Sequence, residues 1–246
     1  MKKTRHREKV WKQSLFNAIH SRLVGLVSVS IVVLILILHF KARFPLVRVI
    51  LVVPLLLGIA WYKFIAFEGL LVFHSVFNTF GLFDWYNKVD DNLYLGAIVI
   101  NNIIFTQLTK GVGVNAVVSV VESFELETSI LLGSIITADD WKAIEVDQIQ
   151  LSCRDFQPPP FSVLDKGADY INSRIVNNDI VYVHCKSGRG RSASVVMAYF
   201  MKYRGLNAQA AYKKLKLARS EVFAANSKQM KNISEYEVYL RTGIRR

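Results

Sequence analysis

Cysteine is nearly absent from this chain, and so are acidic side chains near its N-terminus. Its 246 residues hold only Cys153 and Cys185. Two cysteines are too few for a disulfide framework and too far apart for a four-ligand zinc site, which leaves a reducing compartment as the simpler expectation. The first 63 residues hold one acid, Glu8, against eleven Lys and Arg, so they carry +10 of a total of +12. With 52% apolar side chains, no internal repeat and no low-complexity tract, the chain fits neither a coiled coil nor a disordered protein.

What is present first is apolar sequence. Leu23 to Phe40 is a run of eighteen residues without a formal charge, long enough at the helical rise to approach the hydrocarbon thickness of a bilayer. It ends in LHFKARFP without a small-x-small cleavage site, which predicts an uncleaved anchor and not a signal peptide. A second run, 44–62, has Arg48 able to snorkel and Trp61–Tyr62 placed as interface aromatics, and predicts a second span or an interfacial helix. Residues 69–83 are apolar but short, and read as a helix at the surface or linking membrane to domain. Seven bases in residues 1–22 place the N-terminus in the cytoplasm. Two spans then return residues 84–246 to the same side, the inner-membrane face if the source is bacterial. Lys41, Arg43 and Arg48 in the connecting segment work against this topology. The organisation expected is a basic segment at 1–22, a membrane region at 23–83 and a folded domain at 84–246.

That domain alternates strand and helix patterns. Apolar runs at 92–100, 114–122 and 179–185, with an alternating one at 144–152, predict strands. Helical spacing covers 161–176, 191–203, roughly 207–219 and roughly 228–241, with Gly205 ending one helix and Asn207 starting the next. Asp139 and Asp140 read as helix caps before Trp141. The fold class predicted is α/β, a central mixed sheet flanked by helices.

The chemistry gathers in VHCKSGRGRSAS at 183–194. A cysteine ends a buried strand, five residues follow, then an arginine and a helix. The backbone between Cys185 and Arg191 can turn its N–H groups inward as a nest, with Lys186, Ser187, Gly188, Arg189 and Gly190 forming the cradle and the helix adding its positive end. Such a site binds a tetrahedral dianion and favours thiolate, making Cys185 a candidate nucleophile. Arg191 offers a planar fork for two phosphoryl oxygens. This is not the nucleotide-binding phosphate loop, whose Gly-Lys-Ser/Thr is missing.

HCKSGRGRS at 184–192 resembles the His-Cys-x5-Arg-Ser/Thr signature of the cysteine-dependent tyrosine and dual-specificity phosphatase superfamily. Together with WYNKVDDNLYLGA at 85–97 and VVSVVESFE at 117–125, the pattern is most similar to the phosphatidylglycerophosphate phosphatases of that superfamily. The resemblance covers roughly 84–240. It implies that Cys185 forms a cysteinyl-phosphate, Arg191 clamps the phosphate, Ser192 steadies the thiolate and His184 supports the loop. Asp155, thirty residues before Cys185 and ahead of three prolines, is the expected general acid. Asp165 is the alternative, and Cys153 a possible disulfide partner for Cys185. One departure stands out: an arginine-proline segment common before the last helix of the family is replaced by EVFAANSKQ at 221–229, in which Gln229 is kept.

Substrate class follows from charge and anchor. Lys186 and Arg189 add positive charge at the cradle, and residues 186–246 carry fourteen bases against three acids, suiting an anionic lipid. The expected function is therefore removal of the terminal phosphate of phosphatidylglycerophosphate at a membrane, without metal or other cofactor. A phosphoinositide phosphatase and a dual-specificity protein phosphatase are the alternatives. A non-catalytic phosphate-binding module fits worst, because both cysteine and arginine are retained. Nucleic acid is not an expected partner, since the bases lack interleaved aromatics.

Overall fold

Three apolar runs form the centre of a five-stranded sheet in a computed structural model that describes residues 67–73, 75–126 and 135–243. The strands are β1 (Tyr86–Asp90), β2 (Leu93–Gly96), β3 (Ala116–Ser119), β4 (Asp147–Gln150) and β5 (Val181–His184), in the spatial order β1-β2-β5-β3-β4. Only the β1–β2 pair is antiparallel. Every residue of β3 and β5 is buried, because parallel strands covered on both faces have no solvent side. The edges are more polar: β4 reads Asp-Gln-Ile-Gln, and β1 carries a register irregularity between Lys88 and Asp90. β1 is the strand the sequence pattern did not predict.

Six α-helices are described, of which the last four follow the sequence spacing closely. They are α1 (Asn102–Thr106), α2 (Ala138–Ala143), α3 (Phe161–Val176), α4 (Arg191–Arg204), α5 (Ala208–Ala218) and α6 (Lys228–Thr242). Gly205 ends α4 in the left-handed conformation at φ 67°, and the Asn207 side chain caps α5 by accepting from the Ala210 N–H. One expectation is corrected at α2. Its cap is Thr137, which accepts from the Asp140 N–H while the Asp140 carboxylate accepts from the Thr137 N–H. Asp140 is therefore the third-position partner of a capping box and Asp139 merely an acid in the first turn.

Helix α4 is the axis of the main core. Arg191 through Met201 are all buried, because α3, α5 and α6 surround it and the sheet lies beneath. The opposite face of the sheet is covered by Leu108, Val114 and Trp141 against Val117 and Tyr182. Helical residues at 67–73 and 75–79 belong to the same compact unit, Phe67–Arg246, and bury Phe67 and Leu71 with Trp85 and Ile98. Among the described residues no helix is long and apolar enough to cross a membrane; the expected spans at 23–40 and 44–62 lie outside them.

α3 packs against α4 without room for a side chain at Gly167. A Cβ there would lie 2.4 Å from Val195 Cγ1. Gly167→Val should therefore destabilise the fold by about 1–3 kcal/mol through overpacking. A lower midpoint of chemical unfolding than in wild type is the expected result, and an unchanged midpoint would show that the two helices can separate at no cost.

Candidate active site

The chain turns sharply between the end of β5 and the start of α4, and its carbonyls are all taken up from outside. The Cys185 carbonyl accepts from His184 Nδ1 at 3.3 Å, Lys186 from the Ile98 N–H at 3.3 Å and Ser187 from Arg219 Nη2 at 3.1 Å. Gly188 accepts from Arg219 Nε, and Arg189 and Gly190 from the N–H groups of Phe223 and Ser194, each at 3.0 Å. In a planar trans peptide the N–H opposes the C=O, so the six N–H groups of residues 186–191 are left to the inside. Gly188 sits at φ +67°, and a Cβ there would lie 2.4 Å from the Gly96 backbone. Only glycine lets this turn close against β2.

Cys185 lies at the base of the cradle, 3% exposed. Burial by itself opposes ionisation. The Arg191 charge, with the Ser192 hydroxyl and N–H both donating to sulfur, outweighs it and holds the thiol below its ordinary value. The hydroxyl contact is 3.2 Å. Cys153 shows the opposite outcome: burial pushes its thiol up to about 11, and both cysteines are free.

Arg191 is itself fixed by a residue that the sequence reading did not single out. Glu125, fully buried, accepts from Arg191 Nη1 at 2.5 Å and Nη2 at 2.9 Å, a bidentate pair. The Cys153 carbonyl accepts from Nη1 at 2.9 Å. Although burial disfavours the guanidinium charge, Glu125, the Cys185 thiolate and Asp155 raise the Arg191 pKa above its ordinary value. The signal available was the second acid of VVESFE, but nothing local to it indicates a partner 66 residues away.

Asp155 stands over the cradle. One carboxylate oxygen lies 3.1 Å from Arg191 Nη2 and the other is paired with Lys186 Nζ. The structure thus brings together Cys185, Lys186, Arg191, Ser192 and Asp155. Asp165 is elsewhere, accepting from Tyr236 and paired with Lys202 between α3, α4 and α6. Arg189 stacks its guanidinium 4.3 Å from the Phe83 ring, and burial with the nearby Arg219 charge lowers its pKa to about 10. Its Nε and Nη2 are buried without a hydrogen-bond partner among the described residues.

Behind the loop, His184 is buried and burial pushes its pKa down to about 4, so it is neutral at pH 7. Its Nδ1 must carry the proton to serve the Cys185 carbonyl. Nε2 is then bare and accepts from the Ser119 hydroxyl at 2.7 Å, while Gln148 Nε2 donates to that hydroxyl at 2.5 Å. Arg219 is the other support missed in sequence. Fully buried, it also donates to the Asp84 carbonyl and Asn87 Oδ1 of the β1 region. Gln229 Nε2 approaches Gly190, 3.7 Å from where a Cβ would stand.

Comparison with known proteins agrees with this geometry. The family described as Dual specificity phosphatase, catalytic domain, matches residues 93–239. Human "Phosphatidylglycerophosphatase and protein-tyrosine phosphatase 1" is 32% identical over 140 residues, which are 56% of this chain and 67% of that protein. "Phosphatidylglycerophosphate phosphatase PTPMT2" of Arabidopsis thaliana is 26% identical over 156 residues, 63% of each chain. A solved structure of PTPMT1 in complex with PI(5)P superposes with a TM-score of 0.57 at 27% identity, covering 65% of this chain and 99% of that one.

Two measurements test the charge arrangement. Alkylation by iodoacetamide should follow a titration below the ~8.5 of a free cysteine and map to Cys185, with Cys153 silent at neutral pH. Ser192→Ala should move the inflection upward; an inflection unchanged by that substitution would remove the hydroxyl from the account. Glu125→Gln should cost roughly 3–5 kcal/mol of stability, because a buried pair that loses one partner leaves the other charge uncompensated. A change below about 1 kcal/mol, in the range of an exposed pair, would contradict the pairing.

Proposed function

The chain belongs to the dual specificity phosphatase family and is a cysteine-based hydrolase of phosphate monoesters, and from that premise we propose that it removes the terminal phosphate of phosphatidylglycerophosphate at a membrane. The observation that carries this reading is the ring of outward-held carbonyls around a thiolate-stabilising pocket, intact in a chain 32% identical to a protein named for that activity. The apolar runs at 23–40 and 44–62, in a chain with a basic N-terminus, support a membrane anchor with the catalytic unit on the cytoplasmic side.

In this mechanism the phosphoryl group enters the cradle and competes with Asp155 for Arg191 Nη2. Cys185 sulfur attacks phosphorus in line. The P–S bond forms as the P–O bond to the glycerol breaks, and Asp155, having taken a proton from the substrate or solvent once the phosphoryl group displaces it from Arg191, gives that proton to the leaving alkoxide. Charge on the transferring group is met by the inward N–H groups of residues 186–191, by the N-terminus of α4 and by Arg191, which Glu125 keeps in position. Water then attacks the cysteinyl-phosphate, losing its proton to Asp155, and the thiolate leaves with the Ser192 hydroxyl donating to it. His184 acts only through the loop, by holding the Cys185 carbonyl outward.

A second reading, phosphoinositide hydrolysis, is favoured by Arg189. Its two buried nitrogens without partners would suit another anionic group of the substrate, and the related PTPMT1 has been solved with PI(5)P.

The test is phosphate release by the full chain from phosphatidylglycerophosphate, phosphatidylinositol phosphates and a phosphotyrosine peptide. Preference for phosphatidylglycerophosphate, abolished by Cys185→Ser, is the expected result; a preference for inositol lipids or peptide would overturn the substrate while leaving the chemistry. Asp155→Asn should lower kcat by about 10²–10⁴-fold on an alkyl phosphate, the ordinary contribution of a general acid. An unaffected kcat would transfer that role to another group.

A further inference from the structure

Two segments touching the catalytic loop each carry large apolar side chains in water. The turn at 80–83 reaches it through Phe83 beneath Arg189, and exposes Phe80 at 75% and Leu82 at 49%. The loop bearing Asp155 reaches it through Phe156, whose ring lies 4.9 Å from Lys186 Nζ and is still 66% exposed. Phe156 has φ 59°, a conformation an aromatic residue adopts only at a cost in energy, and Arg154, two residues before it, is exposed. Val76, one helical turn before Phe80, is 44% exposed. Exposed apolar side chains on two segments that each contact the catalytic loop are of the kind that marks an interaction surface.

Connectivity and charge decide what covers it. Phe67 begins the described unit, its ring 5.9 Å from Lys186 Nζ, at the same loop. The apolar run of the sequence ends at Tyr62, five residues earlier. A fully extended chain of that length reaches at most about 18 Å. Arg154 is exposed on the Asp155 loop and carries the sign that an anionic surface attracts, with the largely buried cations of the cradle, Lys186, Arg189 and Arg191, behind it.

We propose that Phe80, Leu82 and Phe156, with Arg154, form a docking surface for an anionic lipid bilayer around the mouth of the catalytic cradle. The aromatic and leucine side chains enter the interfacial layer, as in amphipathic surface anchors, and the basic residues meet the headgroups. The catalytic loop then opens toward the headgroup layer, so a phosphomonoester lipid reaches Cys185 without leaving its leaflet. This rests on the membrane reading above and adds to it which face of the catalytic unit meets the lipid.

The test uses the full chain reconstituted in phosphatidylcholine vesicles containing phosphatidylglycerol and, as substrate, phosphatidylglycerophosphate. Phe80→Ser combined with Leu82→Ser should lower hydrolysis of the vesicle-borne lipid about tenfold, the effect of losing roughly one buried apolar side chain from the contact. Hydrolysis of soluble para-nitrophenyl phosphate should stay within about twofold, since neither residue belongs to the cradle. Separately, Phe80→Trp should add tryptophan fluorescence that brominated phospholipids quench. That readout needs no substrate, so it remains decisive if phosphatidylglycerophosphate is the wrong lipid. Equal losses on both substrates, no quenching at position 80, or a change in oligomeric state with vesicle hydrolysis intact would each overturn the proposal, the last assigning the surface to a second copy of the chain.

Discussion

The site depends on one constraint: six successive carbonyls must point away from Cys185. A backbone turned so tightly would otherwise bury acceptors without partners, each a substantial penalty. The fold meets the demand from four directions, with His184 beneath, Ile98 two residues beyond β2, Arg219 behind and Phe223 and Ser194 on the helical side. Arg219 makes the largest contribution, spending a fully buried guanidinium on two loop carbonyls and two acceptors near β1. Burial lowers the pKa of such a group, which is tolerable because its N–H groups are well used.

Charge in the cradle is balanced with equal economy. Three cations, Lys186, Arg189 and Arg191, surround a site that must bind a dianion, yet the free protein would not hold them together without counter-charges. Glu125 takes Arg191 through a fully buried bidentate contact. Asp155 takes Lys186 and the remaining side of Arg191 from above, at a loop with a quarter of its carboxylate side chain in water. One contact positions the guanidinium; the other can give way to a substrate. Arg189 has neither contact; it has the face of Phe83, the nearby charge of Glu221 and a carbonyl tie through its own backbone.

The segment at 67–83 has a double character. Its inner side chains Phe67, Leu71 and Phe83 are core, and Phe83 lies under a cradle arginine. Its outer ones include the apolar and uncovered Val76, Phe80 and Leu82. A short apolar run with His74 and Asn78 reads in sequence as a surface helix, and hydropathy alone does not separate the face that packs on protein from the face left open.

What the sequence determined by itself was whatever depends on near neighbours. The Cys185–Arg191 spacing, the glycines that permit the turn, the bounds of α3 to α6 and the buried run of β5 are local patterns, and the structure reproduces them. So is the placement of Asp155 ahead of three prolines, although its approach to Lys186 and Arg191 is not. Glu125, Arg219, Ser119 and Gln148 were decided only by tertiary structure. Each acts across 29 to 135 residues of chain, between elements that are adjacent in space because β3 and β2 flank β5 in the sheet. Before that crossover is formed, a glutamate in a short turn and an arginine at a helix end look like solvated charges. β1 was hidden for a related reason: a polar edge strand has no apolar period, and it is a strand only because β2 lies beside it to pair with.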